Sequence, residues 1–172
     1  MRICTQQSSV TLKMSPRAPL VVLILATVAI ASTQAALTTS DVLKSNARYF
    51  VINDRTGTFW QAFRYCNSLG LQLASVNSAN DNKALTAAIA AAPPRKTKGA
   101  WWIAGTDLGK EGDFVWVTTQ SRLGYRTGYT NWAAGEPNNE FGNEHCVEVY
   151  SYGEWNDKNC DVPRNYICEK PW

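Results

Sequence analysis

The chain has a single histidine, His145, and no CxxC pair, so a zinc cluster of cysteines and histidines is not expected. No activated serine or cysteine accompanies that histidine, which argues against a nucleophilic triad. No N-x-[ST] sequon follows residue 35, so N-glycosylation is not expected there. Heptad and collagen-like repeats are missing from the leader between Ala36 and about Lys44, so an oligomer is possible but unsupported by the sequence. The apolar run at 20–31 has about a dozen residues, short of the roughly 20 that cross a bilayer. An excess of charge is missing too, once the first 35 residues are set aside. The formal +3 resides entirely in that segment, and from Ala36 onward 14 Lys and Arg oppose 14 Asp and Glu. Such a balance gives no case for nucleic acid or an acidic membrane as partner. The basic cluster RKTK (95–98), placed after Pro93 and Pro94, reads as a solvated loop.

What is present begins with a basic n-region (Arg2, Lys13, Arg17), the apolar run, and small residues up to Ala35. This is the pattern of a secretory signal peptide over 1–35, with no insertion of the chain in a membrane. Ala31 is an alternative cleavage point, Met14 an alternative start, and an uncleaved anchor the competing reading. Cys4 departs with the signal, leaving Cys66, Cys146, Cys160 and Cys168. Four cysteines in a secreted chain imply two disulfides, with three connectivities open.

Residues 36–46 are polar and read as a short, frayed leader. A strand is predicted over 47–53 and a helix over 56–70, with Thr58 as cap, Phe59, Phe63, Cys66 and Leu69 on one face, and Gly70 as its stop. Residues 71–76 form a short strand or extended link. A second helix follows, capped by Ser78 or Asn80 and ended by Pro93-Pro94. The run WWIAGTDL (101–108) opens the second half, and strands are predicted near 112–118, 145–151 and 165–170. Between 118 and 145 lies a long aromatic- and Asn/Gly-rich stretch, read as ordered and functional. The fold class is α+β, with residues 47–172 as one domain. Most of the tryptophans sit in periodic or motif positions that favour core packing.

Five oxygen-bearing residues lie in two short stretches, EPNNEFGNEHC (136–146) and EWNDKNC (154–160). They are Glu136, Asn138, Glu144, Asn156 and Asp157. Carboxylates and amide carbonyls are the ligands a calcium ion takes, six to eight at a time. Cys146 and Cys160 flank the stretches and could tie them together. Five side chains plus the Asp157 carbonyl would leave calcium unsaturated, with room for two sugar hydroxyls. Carboxylates accept and amides donate, so Glu136 and Glu144 would accept from those hydroxyls while Asn138 and Asn156 donate. A cis Glu136–Pro137 bond would let both flanking side chains face one ion.

From about residue 47 to Trp172 the chain resembles the C-type lectin-like domain, on Cys66, WIAG (102–105) where the family has WIGL, EPN (136–138), WND (155–157) and NYICEK (165–170). The resemblance implies that fold: two helices packed on small antiparallel sheets, with a long calcium-binding loop region. It also implies the pairs Cys66–Cys168 and Cys146–Cys160, the short form of the domain, and no enzymatic activity. The motif Glu136-Pro137-Asn138 resembles the mannose-type pattern, which selects equatorial 3- and 4-hydroxyls. Partners implied are mannose-type glycans on cells, microbes or glycoproteins, in a role such as innate immunity. A second Ca2+ ion would use Asp107, Glu111 and a shared Glu144. Two further acidic positions of that second site fall on Asn139 and His145, which should weaken it. His145 is read as an exposed histidine without an acid-sensing role. Tyr150 and Tyr152 would either stack on sugar or pack a loop. The alternative function is a lectin-like domain whose main partner is a protein and whose calcium is structural.

Overall fold

A computed structural model describes residues 37–94 and 99–171. The expected signal peptide and the RKTK cluster lie outside the described residues. Among the described residues no helix is long and apolar enough to cross a membrane.

The elements in chain order are α1 (Thr39–Lys44), β1 (Tyr49–Gly57), α2 (Phe59–Ser68), β2 (Gln72–Leu73), α3 (Ala79–Ala91), β3 (Trp101–Thr106), β4 (Val115–Trp116), β5 (Ser121–Arg122), a 3-10 turn (Glu140–Gly142), β6 (Cys146–Val149), β7 (Trp155–Lys158) and β8 (Arg164–Glu169). The leader expected to fray contains α1 instead. Thr38 and Asp41 form a reciprocal capping box there, and Val42 is buried in the core. A single turn is marginal alone, so the buried valine is what retains it.

Both main helices begin where the sequence predicts. Thr58 and Gln61 cap α2 reciprocally, with Thr58 N donating to Gln61 Oε1 at 2.9 Å. Phe59, Ala62 and Cys66 form its buried face, and Gly70 follows at φ +72°. Ser78 rather than Asn80 caps α3, its hydroxyl accepting from Asp81 N at 3.1 Å. Leu85 and Ile89 bury toward the core.

The strands join in one branched sheet, antiparallel at every pairing except β3 with β8. β1 pairs with β8 so that Phe50 lies opposite Cys168, and Leu73 of β2 reaches the same cysteine from the other edge. The Cys66–Cys168 disulfide then fastens α2 to β8 across 102 residues of chain. Closing so long a loop in the unfolded chain is worth about 4–5 kcal/mol on the chain-entropy argument.

β3 is the centre, bordered by β4, β6 and β8. Its six residues are all buried, as the continuous apolar run WWIAGT requires. Gly105 sits there for a steric reason: a Cβ at that position would lie 2.5 Å from Val147 Cγ2 on β6. Trp102, Trp116 and Trp155 are fully buried, and Trp102 Nε1 donates to Gly57 O at 3.0 Å. Glu169, fully buried near the chain end, accepts from Ser75 N (2.8 Å), Ser75 Oγ (2.6 Å) and Arg48 Nε (3.3 Å). These bonds and the guanidinium satisfy a charge that would otherwise be costly to bury.

Candidate functional site

The site is assembled by β7 and by the loop that docks against it. β6 and β7 pair antiparallel, setting Cys146 opposite Lys158, Val147 opposite Asp157 and Glu148 opposite Asn156. The Cys146–Cys160 disulfide closes this hairpin over 14 residues. Trp155 does the docking. Its N–H donates to Asn131 O, and its carbonyl accepts from Ala133 N, both at 2.8 Å. Its ring packs edge-on against Trp116, Tyr129 and Trp132 at 5.6–5.8 Å between centroids. The loop is therefore fixed just before Glu136.

From there the backbone reaches Asp157. The Glu136–Pro137 bond is cis. Asn138 N and Asn139 N donate to Asp157 Oδ1 and Oδ2 at 3.1 and 2.8 Å. Asn138 Nδ2 donates to Glu136 Oε1 at 3.0 Å. Asn156 Nδ2 donates to Glu148 Oε1 at 3.1 Å, so the amide carbonyl is the end left for a cation. Arg164 Nε in turn holds Glu148 Oε2 at 2.5 Å. This support by Glu148 and Arg164 is not visible in the two motifs. Strand alternation around WND is the only sequence signal for it, because Asn156 must face a cross-strand neighbour.

Glu136, Asn138, Asn156 and Asp157 thus share one locality, and Glu144 approaches through its neighbours. Glu144 is 3 % exposed, and its Oε2 accepts from Glu140 N at 3.3 Å. Its Oε1 pairs with Lys158 Nζ, which also lies 3.8 Å from Glu140 Oε2. Lys158 was absent from the sequence reading. It follows Asp157 and shares the Asn156 face of β7, which places its ammonium against the Glu144 carboxylate. The hydrogen bond to Glu144 raises its pKa.

Glu136 Oε2 is buried and has no hydrogen-bond partner. Burial, then close side-chain contact with the Asp157 carboxylate and its charge, then the charge of Glu144, push the Glu136 carboxyl above its usual range. A buried oxygen without a partner close to other carboxylates is the environment a divalent cation relieves, although the Glu136, Glu144 and Asp157 oxygens do not all lie within 4.8 Å of one another. The donor set is all oxygen and suits a hard ion such as calcium.

The residues expected for a second ion arrange differently. Among the described residues, one group of three or more His, Cys, Asp or Glu side chains brings all its ligand atoms within 4.8 Å of one another: Asp107, Glu111 and His145. Glu144 is not in it. Asn139 uses its Oδ1 to accept from Glu144 N at 3.0 Å. Two aromatic features stand on the neighbouring segments. Phe141, in the 3-10 turn, is 90 % exposed at φ +58°. Tyr150 and Tyr152 stack on each other at 5.4 Å, with Tyr152 exposed.

The family model for the lectin C-type domain matches residues 55–170. The chain belongs to the C-type lectin domain family. Members of this family bind carbohydrate and are not enzymes. The C-type lectin fold also accounts for the pairing of Cys66 with Cys168 and of Cys146 with Cys160. Salivary C-type lectin 2 of Aedes albopictus is 34% identical over 134 residues, covering 73% of this chain and 85% of that protein. Bovine pulmonary surfactant-associated protein D is 41% identical over 112 residues, 65% of this chain but 28% of its own length. This C-type lectin spans a third or less of the surfactant and collectin relatives it matches. In structure it is similar to the carbohydrate-recognition domain of cow CD23, at TM-score 0.57 and 30% identity over 70% of this chain and 84% of that one. That domain was solved in the presence of a GlcNAc2Man3 oligosaccharide.

Proposed function

We propose that this C-type lectin, in the short form of the domain, is secreted and binds mannose-type sugars through one calcium ion. The ion would be held by Glu136, Asn138, Glu144, Asn156 and Asp157. The observation that carries this reading is the buried, unpartnered Glu136 Oε2 beside the carboxylates of Asp157 and Glu144. When bound, calcium supplies open coordination positions for two vicinal hydroxyls.

The protein's own groups provide the selection. Glu136 and Glu144 accept hydrogen bonds, and Asn138 and Asn156 each donate with the amide hydrogen not used inside the site. Asp157 holds the loop through two backbone amides, so the donors and acceptors arrive already oriented. The Glu-Pro-Asn order resembles the mannose-type pattern, which selects equatorial 3- and 4-hydroxyls. Glycans on cells, microbes or glycoproteins are the partners that fit, and recognition in innate immunity is a role of that kind.

Elution from immobilised mannose and galactose, with calcium or with EDTA, tests this. Retention on mannose that EDTA abolishes is expected. Retention on galactose alone would sink the specificity, and calcium-independent retention on mannose would sink the mechanism. Binding to a protein partner that survives EDTA, with no sugar retention, would favour the structural-calcium alternative.

A further inference from the structure

We propose that Asp107, Glu111 and His145 form a separate site for a transition-metal dication of the zinc class, in place of a second calcium ion. This inference does not depend on the sugar-binding reading. His145 Nδ1 lies 3.1 Å from Asp107 Oδ1 and 3.5 Å from Glu111 Oε2. Two ligands at zinc bond lengths in tetrahedral geometry stand about 3.4 Å apart. The imidazole nitrogen therefore already stands at that separation from both carboxylates, and all three donors lie within 4.8 Å of one another.

Their backbones are held in place independently of any ion. The Asp107 side chain is fully buried, and its Oδ2 accepts from Gly112 N at 2.8 Å, which leaves Oδ1 directed at the imidazole. The His145 carbonyl accepts from Thr106 Oγ1 at 2.7 Å and from Asp107 N at 3.2 Å, locking the two segments together. Glu111 stands at the rim of the turn between them, more than half exposed. Its exposure gives an ion a way in from solvent. Three protein ligands leave a fourth position for water.

The ion class follows from the donors. Calcium takes six to eight oxygens, whereas imidazole nitrogen suits zinc and its neighbours. Two oxygens that a calcium ion would need point elsewhere. Glu144 lies outside the group, and Asn139 Oδ1 is occupied by Glu144 N. The absence of a cysteine–histidine cluster from the sequence does not bear on this site, which uses two carboxylates and one ring.

Because His145 is the only histidine in the chain, every imidazole signal reports on this position. The test titrates zinc chloride into the untagged protein at saturating calcium, followed by calorimetry and by proton NMR of the imidazole. One equivalent of zinc, accompanied by movement of the imidazole resonances, is expected. His145→Ala should weaken zinc by about tenfold or more, since even outer-shell changes cost that much. His145→Asp, which makes the set all oxygen, should lose zinc. Native melting behaviour confirms that each variant folds. An imidazole that does not respond to zinc, zinc bound equally by His145→Ala, or zinc displaced by millimolar calcium would each overturn the proposal. The wild-type NMR titration decides the matter even if a variant fails to fold.

Discussion

Asp157→Asn separates two roles that the structure gives one carboxylate. Asp157 is 1 % exposed and accepts from Asn138 N at 3.1 Å and from Asn139 N at 2.8 Å. Hydrogen bonds to a charged group are worth about 1.5–3 kcal/mol, against about 0.5–1.5 for neutral pairs. The amide variant has one oxygen, so one backbone N–H keeps a neutral bond and loses about 1 kcal/mol. The other faces an NH2 group and loses its bond outright, about 1.5–3 kcal/mol. The loop can open without global unfolding, so these losses belong in local exchange rather than in the melting temperature. Amide hydrogen exchange in EGTA reads them directly. At tenfold per 1.4 kcal/mol, one of the two amides should exchange about 10- to 150-fold faster and the other about 5-fold faster. Calcium affinity should fall as well, because one of three anionic ligands becomes neutral. Unchanged exchange at both Asn138 and Asn139 would refute the reasoning, since Asp157 would then not be holding the loop.

Three further outcomes are expected. Gly105→Ala places a Cβ 2.5 Å from Val147 Cγ2 and should cost about 1–3 kcal/mol in denaturant unfolding, partly restored by Val147→Ala. For Glu136 the folded-state pKa is raised, so the metal-free protein binds this proton more tightly than the unfolded chain. Stability from that proton is complete below the ordinary glutamate range and lost as pH rises through the raised value. Glu136→Gln should accordingly raise the neutral-pH melting temperature in EDTA while shrinking the upward shift that calcium produces. Lys158→Gln removes the ammonium that holds Glu144 Oε1, and should tighten calcium in a calorimetric titration. Weaker calcium binding in that variant would show that Lys158 positions Glu144 instead of competing for it.

Much of the architecture was legible because it depends on local chemistry. Thr58 and Ser78 cap their helices through side-chain oxygens that reach the backbone three residues on. The apolar WWIAGT run is buried on both faces, and Gly70 ends α2 with positive φ. The 112–118 strand contracted to Val115–Trp116, since the chain turns there under tertiary contacts. The leader proved helical because Val42 found a place in the core, a fact residues 36–46 do not contain by themselves.

By itself the sequence determined the donor types, their division between EPN and WND, and the two disulfide-competent cysteine pairs that the family resemblance implied. The donor types and their division follow from composition and spacing, whereas the cysteine pairs rest on the resemblance alone, since spacing leaves three connectivities open. Only the tertiary structure decided how the donors are distributed. Pairing of β6 with β7 set Glu148 against Asn156, and strand alternation brought Lys158 to Glu144. Close approach of the Asp107 turn to residue 145 grouped His145, and not Glu144, with Asp107 and Glu111. Residues 38 positions apart meet there through backbone hydrogen bonds between separate segments, and one-dimensional spacing carries no record of that contact.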